Sequence, residues 1–290
     1  MKEKEKTSFD TGNHTGKPSY PSLLIGGILV FVILFTAGAS FFVTPYNPSR
    51  MNIPDRLAPP SRAHWFGTDQ YGRDVFSRVI TGSRSSLYVG LLAVSIGVVF
   101  GVPAGSLSAY FGGDLDSAIM RAMDAFYGFP PVITAVLITS VFGPGLTNST
   151  LAIGIFNIPI FARLTRGNFL SVKERQFVEA ARASGRSEFK VILRHVLPNV
   201  SSPIIVQATT QFALAVLAEA ALSYLGLGIQ PPHPSWGLML KQAQTFMRLS
   251  PWPAVFPGLS IVITVLGFNL AGDGLRDLLD PRSTFFSSGV

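Results

Sequence analysis

Residues 85–113 read SSLYVGLLAVSIGVVFGVPAGSLSAYFGG, and none of these 29 side chains carries a charge. About 20 mostly apolar residues are enough for an α-helix to cross the hydrocarbon core of a membrane. Within the stretch a small residue recurs at every fourth position, at Ala93, Gly97, Gly101, Gly105 and Ala109. Such a stripe allows a second helix to approach closely in lipid, although glycine is also common in membrane helices without such contacts. We therefore expect a membrane-spanning helix with Gly97, Gly101 and Gly105 at a helix contact.

The remainder of the chain repeats this pattern. Its 290 residues include 13% charged side chains, whereas soluble domains carry about 25%, and 48% hydrophobic ones. The charge-free stretches predict six membrane-spanning helices, at residues 22–43, 86–110, 125–142, 149–166, 203–226 and 253–272. Residues 125–162 hold two crossings joined by the turn Gly143-Pro144-Gly145. The predicted fold class is therefore an all-α polytopic membrane protein with six transmembrane helices.

The distribution of basic residues predicts the orientation. With both termini in the cytoplasm, the cytoplasmic segments hold 15 of the 23 Lys and Arg residues and the other segments hold 8. This agrees with the positive-inside rule, although the six arginines of residues 44–85 do not. The predicted organisation is a cytoplasmic tail (1–21), an anchor helix (22–43), an extracytoplasmic loop (44–85), a core (86–272) with a cytoplasmic loop (167–200), and a cytoplasmic tail (273–290).

The N-terminal apolar run resembles a cleavable signal peptide because it is followed by Ala37-Gly38-Ala39. However, the polar leader before it is long, and the apolar run continues through Val43. We therefore expect an uncleaved anchor.

Catalytic and metal-binding signatures are absent from the sequence. The chain has no cysteine and no phosphate-binding loop, and its four histidines lack ligand spacing. The sequence therefore predicts a chain that is not an enzyme, holds no metal and does not itself bind ATP. Nucleic-acid binding is also excluded, because the basic residues lie in loops that flank the predicted spans.

The most informative segment is the basic stretch between the fourth and fifth spans. Ser171 and Glu174 have the spacing of a capping box, which predicts that a helix begins there. Gly185 lies where a left-handed helix stop would fall. A second, amphipathic helix should follow and end before Pro198. The six basic residues among residues 171–198 are compatible with a surface loop that binds anionic lipid headgroups. The small Ala180-Ala181 face instead favours docking into a groove on another protein.

This segment resembles the EAA loop of ATP-binding-cassette (ABC) importer permeases. The matching residues are Glu179, Ala180, Ala181, Gly185, Leu197 and Pro198. The family often has Ile two residues before the Leu-Pro pair, where this chain has His195. In the family this loop couples the permease to the ATPase subunit. The resemblance therefore implies that these six residues couple the chain to a partner ATPase.

Four further strings are similar to the C-type permease of dipeptide, oligopeptide and nickel importers. They are residues 66–78 (FGTDQYGRDVFSR), 219–228 (EAALSYLGLG), 231–237 (PPHPSWG) and 272–277 (GDGLRD). Together with the EAA loop, the resemblance covers residues 20–282 and implies the type I ABC importer permease fold.

The resemblance also implies partners and a location. The chain would pair with a homologous B-type permease in a bacterial inner membrane, with two ABC ATPases that bind ATP and Mg²⁺ and an extracytoplasmic substrate-binding protein. Peptides are the expected cargo, while nickel chelates, glutathione and short oligosaccharides are alternatives. An ATP-independent secondary transporter or a membrane enzyme would need intramembrane ion-coupling or catalytic groups. Only Glu219 lies deep in a predicted span.

Several polar residues outside the EAA loop are further candidates. Glu219 has two possible roles. It either lines the translocation path or its outer mouth, or it has a structural role and binds backbone groups near the outer mouth. We favour the structural role. Trp236 fits the outer mouth at a membrane interface. Asp69, Arg73 and Asp74 either shape the outer loop or form a dock for the binding protein. Asp124 is expected to pair with Arg121 or to reach the membrane surface.

Overall fold

The computed structural model describes residues 20–128 and 130–279, and the described part of the chain is almost entirely helical. The α-helices are α1 (Tyr20–Ala39), α2 (Val75–Phe111), α3 (Gly113–Tyr127), α4 (Pro131–Phe142), α5 (Leu146–Lys173), α6 (Gln176–Ala183), α7 (Glu188–Val191), α8 (Leu197–Leu225), α9 (Trp236–Ala243) and α10 (Trp252–Leu279). Single 3₁₀ turns lie at Ile53–Asp55 and Gln244–Phe246, and a π-helical turn covers Ile192–Val196.

The helix pair α2 and α5 is packed through the predicted stripe of small residues. A Cβ atom at Gly97 would lie 2.5 Å from the Cβ of Asn157, and one at Gly101 would lie 2.5 Å from the carbonyl oxygen of Ile158. Further along, Gly105 meets the backbone of Ala162. The two helices therefore touch backbone to backbone, which only glycine allows at these positions. Because residue numbers rise together along the contact, the helices run parallel.

The other main helix contacts are antiparallel. Gly26 and Gly274 place the start of α1 beside the end of α10, since they meet Ala271 and Leu23. Gly90 of α2 meets Val216 and Phe212 of α8. The ring of Phe212 also stacks on Phe268 of α10, with ring centroids 4.0 Å apart. Helices α1 and α8 therefore run one way, and α2, α5 and α10 run the other.

These directions determine how often the chain crosses the membrane. Because α2 and α5 are parallel, the residues between them must return from one side to the other, and α3 with α4 makes this return. By length and composition, four stretches of the described chain can span a membrane, and α3 with α4, bent by 82°, is a fifth if it is one span. Helix α5 is less apolar, because it carries Arg163 and Arg166, but it lies along α2. If α3 with α4 counts as one span and α5 as another, the helices lie at the six predicted spans.

Several boundaries differ from the sequence prediction. Helix α2 begins at Val75, inside the predicted loop, because the Asp74 side chain accepts a hydrogen bond from the Ser77 N–H at 2.7 Å and so caps the helix. The predicted span 125–142 is not one straight helix; the break falls next to Pro130, which cannot donate a backbone hydrogen bond. The segment between the predicted spans 203–226 and 253–272 contains α9.

The predicted tails lie mostly outside the described residues. The described residues do not include 1–19 of the N-terminal tail or 280–290 of the C-terminal tail.

The α2–α5 contact can be tested with one methyl group. Gly101→Ala should destabilise the protein by about 1–3 kcal/mol, because the added carbon overlaps backbone atoms of α5. Gly167→Ala in α5 is the matched control, since nothing lies within 4 Å of its Cβ position and alanine is the better helix former. Thermal unfolding of the detergent-solubilised protein measures both. Equal midpoints for the two variants would contradict the contact.

Candidate functional site

The connection between α5 and α8, residues 174–196, is anchored to the helix bundle by small apolar side chains. Its Val178, Ala181, Val191 and Val196 are buried. They form one cluster with residues from the ends of α2 and α5 and the start of α8, namely Ala109, Phe169, Val172 and Val200. The connection therefore moves with these three helices rather than as a free loop.

A sharp turn at Gly185 separates α6 from α7. Its φ angle is +73°, in the left-handed region that glycine adopts at little cost. Nothing lies within 4 Å of the position of an added Cβ. Glycine is therefore required here by the backbone conformation and not by lack of space, as the sequence predicted.

Two other local predictions for this segment are wrong. Ser171 does not cap a helix; α5 continues to Lys173, and the Ser171 hydroxyl donates to the Asn168 carbonyl at 2.8 Å. The second helix also does not end before Pro198. It continues through the π-helical turn into α8, where Pro198 lies in the first turn and its missing N–H is not needed.

The outer face of the connection is exposed and partly apolar. Phe177, Phe189 and Leu193 expose 39%, 69% and 50% of their surface. Glu179, Ala180, Gly185 and Pro198 are also exposed, and Leu197 is half-buried. Ala181 faces its own chain, so the prediction that both alanines dock into a partner is wrong for Ala181. An exposed apolar patch with polar surroundings is typical of a protein-binding surface.

At the opposite end of the bundle, Asp69 organises the outer loop. Its carboxylate accepts hydrogen bonds from the backbone N–H groups of Tyr71 and Arg73, at 2.8 and 3.0 Å, and from Nε of Arg73 at 2.6 Å. Nε of Arg78 lies 3.6 Å away. The side-chain oxygen of Gln242 in α9 accepts from both guanidinium groups. This network joins the loop to α2 and α9.

The predicted binding-protein dock is made of buried residues. Asp69, Arg73 and Asp74 expose only 4%, 6% and 3% of their surface. Asp74 caps α2 and also lies 2.9 Å from Nδ1 of His64. The prediction of direct contact with a binding protein is therefore wrong for these three side chains. The alternative that they shape the outer loop agrees with their contacts.

Glu219 and Trp236 are also interior residues. The Glu219 carboxylate accepts from the hydroxyls of Ser223, at 2.6 Å, and Ser86, at 3.0 Å, so it joins α8 to α2. Trp236 is 1% exposed, and its indole N–H donates to the Val79 carbonyl at 3.0 Å. Trp236, the first residue of α9, packs against α2 inside the protein, so its ring does not face the surface. Neither side chain is open to a solute in this structure.

The structure pairs charges that sequence reasoning did not connect. Asp124 contacts Arg163 of α5 at 2.6 Å rather than Arg121. Asp116 of α3 accepts hydrogen bonds from the guanidinium of Arg166 in α5. Gln242, which links the two arginines of the outer loop, was also missed. The only available signal was that these groups lie near the ends of apolar stretches, where a charge needs a partner.

A comparison with protein families matches the core of the chain. The model described as "binding-protein-dependent transport system inner membrane component" covers residues 97–285. The chain belongs to this family. It is an inner-membrane permease subunit of an ABC importer of the peptide and nickel group, and such subunits are not catalytic. The family implies a partner permease, ATPase subunits and a substrate-binding protein.

Two similar proteins have names that indicate their cargo. The chain is 44% identical to the dipeptide transport system permease protein DppC of Alkalihalophilus pseudofirmus, over 89% of this chain and 85% of that protein. It is 46% identical to the glutathione transport system permease protein GsiD of Escherichia coli O6:K15:H31, over 87% and 84%.

The fold is that of a solved importer. An inward-facing structure of the MetNI methionine ABC transporter matches with a TM-score of 0.58 at 18% identity, covering 70% of this chain and 97% of the matched one. This likeness supports the type I permease fold that the sequence predicted.

The outer network of this permease should depend on Asp69. Asp69→Ala leaves the buried guanidinium groups of Arg73 and Arg78 without their carboxylate, and losing one partner of a buried ion pair costs about 3–5 kcal/mol. Asp55→Ala is the control, because Asp55 is exposed and such changes stay within about 0.5 kcal/mol. Protease cleavage of residues 45–74 in the purified protein measures the effect. Equal cleavage rates for the two variants would show that the network does not hold the loop.

Proposed function

We propose that this permease forms half of a translocation path for peptides, together with a homologous B-type permease. Its similarity to dipeptide and glutathione permeases supports this cargo, because both kinds of molecule contain peptide amide bonds. Uptake would draw on ATP hydrolysis by two partner ATPases, and an extracytoplasmic binding protein would deliver the peptide. Nickel chelates and short oligosaccharides are the alternative cargoes.

The observation that carries the coupling role is the two-sided α5–α8 connection. Its buried side is fixed to the ends of α2, α5 and α8 by Val178, Ala181 and Val191. Its outer side presents Phe177, Phe189 and Leu193 beside Glu179 and Ala180. A surface with this composition suits a cleft in an ATPase. Movement of the ATPase would then pass directly to the three helices that hold the connection.

The orientation follows from the same assignment. If the α5–α8 connection meets an ATPase, this end of the bundle lies in the cytoplasm. The excess of Lys and Arg in the segments on that side agrees. The chain would then begin and end in the cytoplasm, and the Asp69 network would face the outside, where the binding protein arrives.

The proposed cargo can be tested in proteoliposomes that contain the complete transporter. Labelled dipeptide should accumulate only when ATP and both ATPase subunits are present, and unlabelled peptides should compete. Glutathione, a nickel chelate and an oligosaccharide are tested as competitors at the same concentration. If the chelate or the sugar competes and peptides do not, the cargo is that compound and not a peptide. Accumulation without the ATPases would indicate a secondary transporter.

Substitution of Gly185 tests the coupling role. Gly185→Val should reduce uptake at least tenfold while the complex still assembles and hydrolyses ATP, because a β-branched residue at φ +73° is strained by about 1–2 kcal/mol. Gly185→Asn is the control, since asparagine tolerates the left-handed conformation. We expect it to keep most of the uptake. Uptake and ATP hydrolysis are measured in the same vesicles, and normal uptake by the valine variant would refute the coupling role.

A further inference from the structure

A cavity of about 380 Å³ lies between α4, α5 and α8, apart from the two sites described above. Its wall is mostly apolar and includes Ile153, Phe156, Leu214, Ala215 and Leu222. Three polar side chains interrupt this wall, those of Tyr127, Asn157 and Gln211, and among the described residues no charged side chain lines it. Small-molecule sites commonly have this composition, an apolar wall with a few polar groups.

Gln211 is the unusual residue of this cavity. It is only 6% exposed, yet its amide makes no hydrogen bond to the part of the chain that the structure describes. The amide of Gln211 instead lies at the wall of the cavity, where a molecule inside the cavity can reach it. Gln211 lies near the middle of α8. A molecule in the cavity can supply the hydrogen-bond partner that the described chain does not.

Asn157 provides a second, oriented polar group in the same wall. Its Nδ2 donates to the carbonyl of Ala93 in α2 at 3.1 Å, which fixes the orientation of the amide. The Oδ1 atom then remains as an acceptor. Asn157 is 4% exposed and, like Gln211, lies about halfway along its helix. The cavity therefore combines a neutral acceptor with a neutral amide that both donates and accepts.

We propose that Gln211, assisted by Asn157, binds the amide groups of the peptide cargo halfway across the membrane. A primary amide matches a peptide unit, because each has an N–H donor and a C=O acceptor. The lack of charge in the wall is consistent with binding the group that all peptides share rather than a particular side chain. This inference rests on the proposed function, since it assumes that peptides are the cargo.

The first experiment compares a tripeptide with its depsipeptide, in which esters replace the amides and remove the N–H donors. Both are presented to the complete transporter in proteoliposomes as saturated complexes with the binding protein, and binding of each to that protein is measured separately. Gln211→Leu should lower tripeptide uptake about three- to tenfold, the value of one hydrogen bond. It should lower depsipeptide uptake by a smaller factor, because the esters keep the C=O acceptors but lack the N–H donors whose hydrogen bonds the Gln211 oxygen accepts.

The matched control is Gln207→Leu, the same change one turn earlier in α8 at a residue that does not line the cavity. It should leave the uptake of both compounds unchanged. Normal tripeptide uptake by Gln211→Leu would overturn the inference. An equal loss of both compounds would also overturn it, because it would show a structural role for Gln211.

A labelling experiment tests the site without altering Gln211. The chain has no cysteine, so Ala218→Cys places its only thiol in the cavity wall, and Leu217→Cys places one on an exposed face outside it. A charged thiol reagent should modify Cys at 218 in the complete transporter, and saturating tripeptide should slow the reaction. The thiol at 217 should show no such protection. A thiol at 218 that never reacts, as in a lipid-filled cavity, or that the tripeptide does not protect, would overturn the inference.

The two proposals fail in distinguishable ways. If the wild-type transporter does not accumulate tripeptide, the proposed cargo is wrong. If it does, but Gln211→Leu and the labelling give the overturning results above, only the cavity assignment is wrong.

Discussion

The close parallel contact between α2 and α5 is the constraint on which the remaining architecture depends. Glycines 97, 101 and 105 bring the two backbones together, and any larger side chain there would push α5 away. Because the helices are parallel, the residues between them, which form α3 and α4, must return from one end of the bundle to the other, and Tyr127, Val132 and Ala135 of this pair line part of the cavity. The same contact brings the end of α5 next to the end of α2. There both helices supply the apolar cluster under the α5–α8 connection.

The two ends of the bundle are held together by different chemistry. At the end that carries the Asp69 network, buried charges and amides link the loop, α2, α8 and α9, through Asp69, Arg73, Gln242 and Glu219. Such contacts are directional, and each leaves an unpaired buried group if it is broken. At the other end, small apolar side chains hold the connection, and apolar packing tolerates sliding better than a hydrogen-bonded network does. An end that must follow an ATPase and an end that must keep its shape would differ in this way.

The sequence predicted the features that depend on composition and on local backbone rules. Charge-free stretches located the spans, the four-residue spacing located the α2–α5 contact, and Gly185 located a left-handed turn. The sequence did not predict contacts between residues that are distant along the chain. Asp69, Arg73 and Asp74 look like surface residues in a polar loop, yet Gln242 and His64 make them interior. Ser171 and Glu174 fit a capping box, but α5 stays helical past Ser171 to Lys173, and its Phe169 and Val172 pack into the cluster under the connection. Tryptophan is typical of membrane interfaces, but Trp236 is buried because α9 packs against α2.

The polar groups along the centre of the bundle are neutral, and this bears on how one path could serve many peptides. A charged group halfway across the membrane would bind one kind of side chain and repel another, and removing it from water would be costly unless it were paired. Toward the ends of the bundle, the charged side chains are paired with each other, as in Arg166 with Asp116, or buried against hydroxyls, as in Glu219. The cavity retains only amides and a phenol. A neutral wall can meet each peptide bond in turn without holding it tightly, so a path of this kind leaves the choice of cargo to the binding protein.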